Sequence, residues 1–580
     1  MAVAVTMARM KIAVLRHAYR GQRAQTAGTG AALGALLAAG TVYLAFAGPD
    51  LLAAAYAVWL LGWALGPVFV GGGDETLRPE YFTLLGLPPR RLAAGLLAAA
   101  FVGIAPLVSL GALLGLLVTG ARLGVVHALV ALPAMGLQLA VFVLLSKVTV
   151  AVVGLALRTR PGAIAAGLLN GAIVAALGQI WVFMVAFGET GTPAAVRYLP
   201  SAWGLLAVQG QWWALAALAA LVLLLLGAWA ALLGRRAGAT RVSGRGRRPI
   251  GAATATGAVV AKELRTWSRD LVRNHYLAFA LSYGVTFAAS PLIIGWDGML
   301  PYAGPIFVVM AAAMAANLYG ADGTALWLAM MTPGASDVRG RQLAWLSTQG
   351  VIAVALTVGF TAITGGPWPL VLALLAALLG GAAGLVPLVS VYALVPGTDP
   401  HRRAGNPLRT SEDDGGLTGL AYLMLALVVV TGVPAGLVAI RLGWAGVAVG
   451  VVTGGLCFWG FGRLAERRLR SHGPELLDTM RTGRKPTGRA TVASRFEGLS
   501  RTRRSVAGWC FGFGAIPLVP QGILAAVFVA NGMLRHSWFL ATYMPPGWRY
   551  PVAAGFILLG LAMYGTALWI VRPAGTRRLT

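Results

Sequence analysis

Long apolar runs alternate with short charged breaks along this chain. The first six runs fall at 27–48, 51–71, 92–118, 125–156, 163–187 and 212–234. A second six fall at 277–296, 301–320, 342–364, 367–395, 416–440 and 443–462, and two more near 507–533 and 551–571 bring the number to about fourteen. A helix needs about 20 apolar residues to cross a bilayer core, so these runs predict transmembrane helices. Run 125–156 exceeds one perpendicular crossing and is expected to tilt, protrude or break near Pro133.

A basic amphipathic stretch precedes each set of six. Ala8, Ile12, Leu15 and Tyr19 share one helical face, with Arg9, Arg16, Arg20 and Arg23 on another. Val260, Leu264, Trp267 and Leu271 repeat that spacing, with Lys262, Arg265, Arg269 and Arg273 as the basic face. Both stretches, 1–25 and 259–276, suit helices lying in the headgroup plane. Ala45-Phe46-Ala47 resembles a signal-peptide cleavage site, but the run from Ala27 is long for an h-region and the pattern recurs in mid-chain.

A charged loop follows the second run of each set. Asp74–Ala100 opens with an acid, passes a short apolar segment to Pro88-Pro89, then carries Arg90 and Arg91. Tyr319–Trp345 echoes it with Asp322, Pro333, Arg339 and Arg341. The offset between copies is about 252 at the amphipathic helix, 248 at the acid and 249–250 at the arginines, which points to duplication. The predicted fold is therefore all-α and polytopic, with two pseudo-repeated units of an elbow helix plus six spans. These units are 1–234 and 259–462. A basic linker, 235–258, joins them; a basic segment, 463–505, and a pair of extra helices, 506–580, follow.

Composition supports the membrane assignment. Hydrophobic residues make up 58% and charged residues 11%, a balance unlike that of a soluble domain. The net charge of +28 would suggest nucleic acid in a soluble protein; here it is expected to mark the cytoplasmic surface, with no nucleic acid partner. With both termini in the cytoplasm and strict alternation, 40 basic residues fall inside and 5 outside. The inside surface would face an anionic leaflet. The arginine excess over only four lysines is that of a GC-rich bacterial genome, so the expected location is a bacterial plasma membrane.

Few chemistries are available to such a chain. No lysine sits in a GxxxxGK[ST] loop, the six histidines are scattered without HExxH, and Cys457 and Cys510 offer no metal spacing. No catalytic, cofactor or metal residues emerge. Fifteen of the eighteen acids map to the cytoplasmic side, and none lies at a span centre. Only His127 and Lys147 could act as ion relays, and a residue near a helix end is the simpler reading of both. The bundle has a pathway's size without an energy source of its own.

These features resemble the permease subunits of ABC-2 type ABC exporters, whose unit is an elbow helix and six spans with a cytoplasmic coupling element after the second. AKELRTWSRD and GADGTALWLAMMTP also resemble fused, duplicated permeases of GC-rich bacteria, and the resemblance covers roughly residues 1–465. It implies two copies of a separate ATPase carrying ATP, one at each loop, and a hydrophobic or amphipathic cargo such as an antibiotic, lipid or peptide. The first coupling set would be Asp74, Glu75, Arg78, Glu80, Tyr81, Phe82, Arg90 and Arg91. The second would be Asp322, Leu326, Trp327, Met330, Asp337, Arg339 and Arg341, with Met331 on the same apolar face. Arg9, Arg16, Arg20, Lys262, Arg265, Trp267 and Arg269 would mark the interfacial elbows. The two terminal spans depart from that pattern, and no large outer domain is present, the longest outer loop being about 188–211. Two other readings compete: a fourteen-helix ion-coupled drug exporter and a non-transporting membrane scaffold.

Overall fold

The computed structural model describes residues 2–18, 22–69, 82, 88–157, 159–191, 193–237, 250–331, 337–396, 414–482, 499–530, 532 and 539–572. No strand occurs among them. Thirteen helical segments are long and apolar enough to cross a membrane, and their outward faces carry side chains such as Leu36, Val58 and Leu223 that are about two-thirds exposed. Water would not tolerate so much exposed apolar surface, so the chain is a multi-pass helical membrane protein.

Two compact units are present. The first comprises Met1–Leu177, Thr190–Ala289 and Asp297–Ser471. It begins with α1 (Ala2–Ala18), α2 (Gln22–Ala47), α3 (Pro49–Phe69), α4 (Pro89–Ala100), α5 (Ile104–Leu123), α6 (Val125–Ala156) and α7 (Arg160–Gly178). After α8 (Ile180–Thr190) come α9 (Trp203–Val208) and α10 (Trp213–Ala237). Here α6 is the axis: Ala131, Ala134, Met135 and Phe142 pack with Leu113 and Leu116 of α5 and with Leu52 and Tyr56 of α3. The helix runs unbroken through Pro133 for 32 residues, ~48 Å, so the expected break is absent and the length is taken up by one long rod.

The chain resumes with α11 (Ala255–Arg269), α12 (Leu271–Ala289), α13 (Ala303–Met314), α14 (Leu326–Met331), α15 (Asp337–Trp345), α16 (Val351–Thr364), α17 (Trp368–Tyr392), α18 (Asp414–Leu442) and α19 (Ala445–Thr482). A π-helical turn, Leu346–Gly350, joins α15 to α16. The most enclosed span is α17, with 15 of its 25 residues buried. Its Ala373, Gly380 and Gly384 lie against the backbone of Gly450, Gly454 and Cys457 in α19, and a Cβ at Gly380 would meet the carbonyl of Gly454. Small residues at such crossings let backbones approach closely where lipid gives no hydrophobic drive.

The second unit comprises Gly178–Glu189, Ser290–Trp296 and His472–Thr580. It contains α20 (Arg501–Phe513), a π-helical turn over Pro517–Leu524, α21 (Ala525–Ala530) and α22 (Arg549–Val571). Trp181, Phe528 and Phe539 form its aromatic core, with the Trp181 and Phe528 rings edge-on at 4.9 Å.

Several expected spans change. Run 92–118 is divided where Gly103, at φ 154°, separates α4 from α5. Run 163–187 is divided at Gln179, whose buried Oε1 accepts from Trp181 Nε1. Run 301–320 yields the 12-residue α13, shorter than a crossing. The count of fourteen thus becomes thirteen full-length candidates among the described residues. The expected boundary at 462/463 falls inside α19.

Ends that the alternation assigns to one face meet in the first unit. Asp50 pairs with Arg197, Arg122 donates to the carbonyl of Ala45 at 2.9 Å, and His127 lies 2.6 Å from the carbonyl of Val208. At the opposite ends, Asn317 and Val395 exchange two hydrogen bonds.

Candidate functional site

The second charged loop closes onto its own elbow helix. Thr254 caps α11 by accepting from the Gly257 amide at 3.0 Å. Asp270 accepts from the Val272 amide, and Asn274 donates to the carbonyls of Trp267 and Asp270, so the chain turns sharply from α11 into α12. That turn brings Arg273 back over the elbow, with Nη1 2.6 Å from Glu263 Oε2 and Cζ 5.4 Å from the Trp267 ring centre.

Loop and following helix complete the cluster. Asp322 sits in a 3-10 turn over Gly320–Ala325, where Gly323 takes φ 60°, a value that needs no Cβ. Arg341 of α15 reaches Asp322 Oδ2 at 2.5 Å through Nη2, Glu263 Oε1 at 3.0 Å through Nη1, and Asp337 Oδ2 at 2.7 Å through Nε. The Nη1 approach is an ion pair without hydrogen-bond alignment. Arg273 Nη2 lies 3.1 Å from Asp322 Oδ1, and Lys262 Nζ contacts both Asp322 and Glu263 at about 3 Å. Tyr319 donates its hydroxyl to Asp337 at 2.8 Å and lies under the Arg341 guanidinium at 4.3 Å. Three cations face three carboxylates; four of the six residues are buried, Asp322 is half-buried with a side chain only 8% exposed, and Lys262 is exposed.

Electrostatics decide the protonation state. Burial pushes the Glu263 and Asp322 carboxyls up, but the fields of Arg341, Arg273 and Lys262 outweigh it and hold both below the ordinary carboxylate range. The cluster is therefore a charged lock at neutral pH. A buried ion pair adds little net stability, yet removing one partner strands a buried charge, so such a network fixes one geometry. The lock also reaches α17, because the Tyr319 amide donates to Ser390 Oγ at 2.7 Å.

Placement of the expected docking residues is mixed. Asp322, Asp337 and Arg341 were expected to face a partner, and Arg273 to lie on the basic outer face of its elbow; the structure turns all four into this chain's own ion network. Leu326, only 1% exposed, anchors α14. Trp327 at 50%, Met331 at 72%, Leu328 and Met330 present an exposed apolar face. Arg339 is exposed, with its guanidinium 5.0 Å from the Phe458 ring centre. Lys262 joins the lock, Arg269 is exposed, and Arg265 and Trp267 are half-buried.

In the first half, Asp74, Glu75, Arg78, Glu80, Tyr81 and Arg20 lie outside the described residues, as does the side chain of Arg90. Phe82, expected to face a partner, is buried with Met7, Leu96 and Trp229. Pro89 begins α4, its fixed φ suiting the first turn. Arg91 is exposed, as are Arg9 and Arg16. The packed face of α1 is Val3 and Met7, while Ile12 of the expected apolar face points outward.

The two amphipathic helices pack in a similar way. Each lies against the helix after the loop, α1 on α4 and α11 on α15. In each pair, a glycine of that helix receives an elbow side chain: Gly95 takes Met7, and Gly340 takes Val259. Glu263 was missed from sequence although it sits at i+3 from Val260, a lone acid beside the apolar face of a basic helix. The 252-residue offset sets it against Lys11, which is also buried, so the equivalent position carries opposite charges.

Among the described residues no group of His, Cys, Asp and Glu is arranged to hold a metal ion. Comparison with models of protein families, with curated proteins and with solved structures finds no match.

Proposed function

We propose that this protein is the membrane permease of an ATP-driven exporter of the ABC-2 type, driven by a separate ATPase that docks on the Trp327–Met331 face. One observation carries this reading. The exposed apolar face and the elbow helix are joined through a buried ion network, so a force on the loop passes to α11, α12 and α15 without slack. A loop that merely connected two spans would need neither the exposed tryptophan and methionines nor a charged lock behind them. In this scheme two six-span halves rock between inward- and outward-facing states as ATP closes an ATPase dimer. Fourteen crossings and internal duplication belong to the same proposal, α13 being the short crossing of the second half.

The lock is not itself a proton relay. A proton relay needs a carboxyl that titrates near neutral pH, whereas Glu263 and Asp322 are held ionised. Inside-out vesicles provide the test, with ethidium as an amphipathic probe. ATP-dependent, uncoupler-resistant accumulation lost in vesicles from deletion cells supports the permease. Accumulation driven by a proton gradient without ATP would transfer the assignment to the ion-coupled class.

A further inference from the structure

A second basic site, separate from the lock, lies between α15 and α19. Val338, Arg339 and Gln342 of α15 face Trp459, Arg463 and Glu466 of α19 across a cleft of about 250 Å³. Gln342 Nε2 donates to the carbonyl of Phe458 at 2.8 Å and holds the two helices in register. On the other side of Trp459 and Arg463, a groove of about 410 Å³ runs past Leu456, Phe461, Leu464 and Arg467. The site thus combines a basic end with an apolar wall.

Its guanidiniums are positioned in advance. Arg463 stacks on Trp459 with Cζ 4.4 Å from the ring centre, and Arg339 lies over Phe458. Arg463 and Arg467 have no carboxylate partner among the described residues. Glu466, the one acid lining the cleft, is paired with Arg470 at 2.7 Å, which offsets its repulsion of an anion. Arg463 directly follows the apolar run 443–462, so the cleft lies at the level where hydrocarbon gives way to headgroups.

We infer that this cleft binds one anionic phospholipid, its phosphate between Arg339 and Arg463 and an acyl chain along Trp459 and Leu456. Planar guanidiniums match phosphate oxygens in pairs, and the apolar wall distinguishes a lipid from a free anion. Basic pockets between membrane helices are suited to such headgroups.

Native mass spectrometry of the full chain in detergent tests this, with phosphatidylglycerol and phosphatidylcholine titrated separately. The wild type should retain one phosphatidylglycerol in preference to phosphatidylcholine. Arg339→Gln with Arg463→Gln should weaken that binding about thirtyfold, from roughly 1 kcal/mol per basic residue at a membrane surface. Arg441→Gln, at the end of α18, should leave it unchanged. Equal retention of both lipids by the wild type would overturn the inference whether or not the variants fold. Displacement of the lipid by a large excess of inorganic phosphate would overturn it too, since a free anion would then be the ligand.

Discussion

Arg341 meets Asp322 at 2.5 Å across the loop that separates them in sequence, and it meets Glu263 of the elbow at 3.0 Å on its other nitrogen. One side chain therefore ties together the elbow, the loop and the helix that follows. Because the guanidinium is buried, its removal leaves carboxylates without their main counter-charge. Arg341→Met should cost about 3–5 kcal/mol of stability, read as a lowered thermal midpoint in detergent. Lys262→Met, whose side chain is 46% exposed, should cost at most about 1 kcal/mol. Equal losses would mean that the buried lock has no special weight.

Acid should loosen the same contact. Glu263 and Asp322 have folded-state values below their unfolded ones. Their contribution is therefore fully present above the ordinary carboxylate range and fades as pH falls below about 4 toward the depressed folded values. Thermal midpoints should be flat in this respect from neutral pH down to the ordinary range and decline below it. Asp322→Asn should flatten part of that decline, and an unchanged acid slope would contradict the charged state assigned to the network.

Elbow packing makes a steric prediction. A Cβ at Gly340 would lie 2.5 Å from the Cβ of Val259 and 3.1 Å from the carbonyl of Thr256, and neither can swing away. Gly340→Ala should cost about 1–3 kcal/mol by prying α11 from α15. At Gly95 the added carbon meets the flexible end of Met7, so Gly95→Ala should cost less. Adding Val259→Ala to Gly340→Ala should recover part of the loss.

Much of the architecture was legible because a bilayer imposes a length. Runs near 20 residues announce the spans, and helical spacing announces a helix in each amphipathic stretch, found at Ala2–Ala18 and Ala255–Arg269; the chain turns at Asp270, so Leu271 and Arg273 of the expected second stretch belong to α12 instead. Breaks inside apolar sequence were not legible. Gly103 and Gln179 interrupt runs without any charge to mark them, and α13 ends where Asn317 turns to bond Val395. For the site, Asp322 and Arg341 were visible as a matched pair of charges, but their direction was not. An outward role followed from reading the loop alone. Their inward closure depends on Glu263 of α11 and Arg273 of α12, two elements that precede the loop by about 50–60 residues.

Because Asp322 is ion-paired within the lock, its reversal would disturb the lock before it touched any partner, and docking is better tested on the exposed face. The most direct measurement is the ATPase activity that co-purifies with the intact chain from its native membranes. The account predicts vanadate-sensitive activity that is lost in Trp327→Glu with Met331→Glu. It should be retained in Ile250→Glu, an equally exposed apolar residue elsewhere, with thermal midpoints of all three proteins unchanged. Activity that survives the double substitution in a folded protein would contradict docking at this face, and no associated ATPase in the wild type would contradict the permease itself.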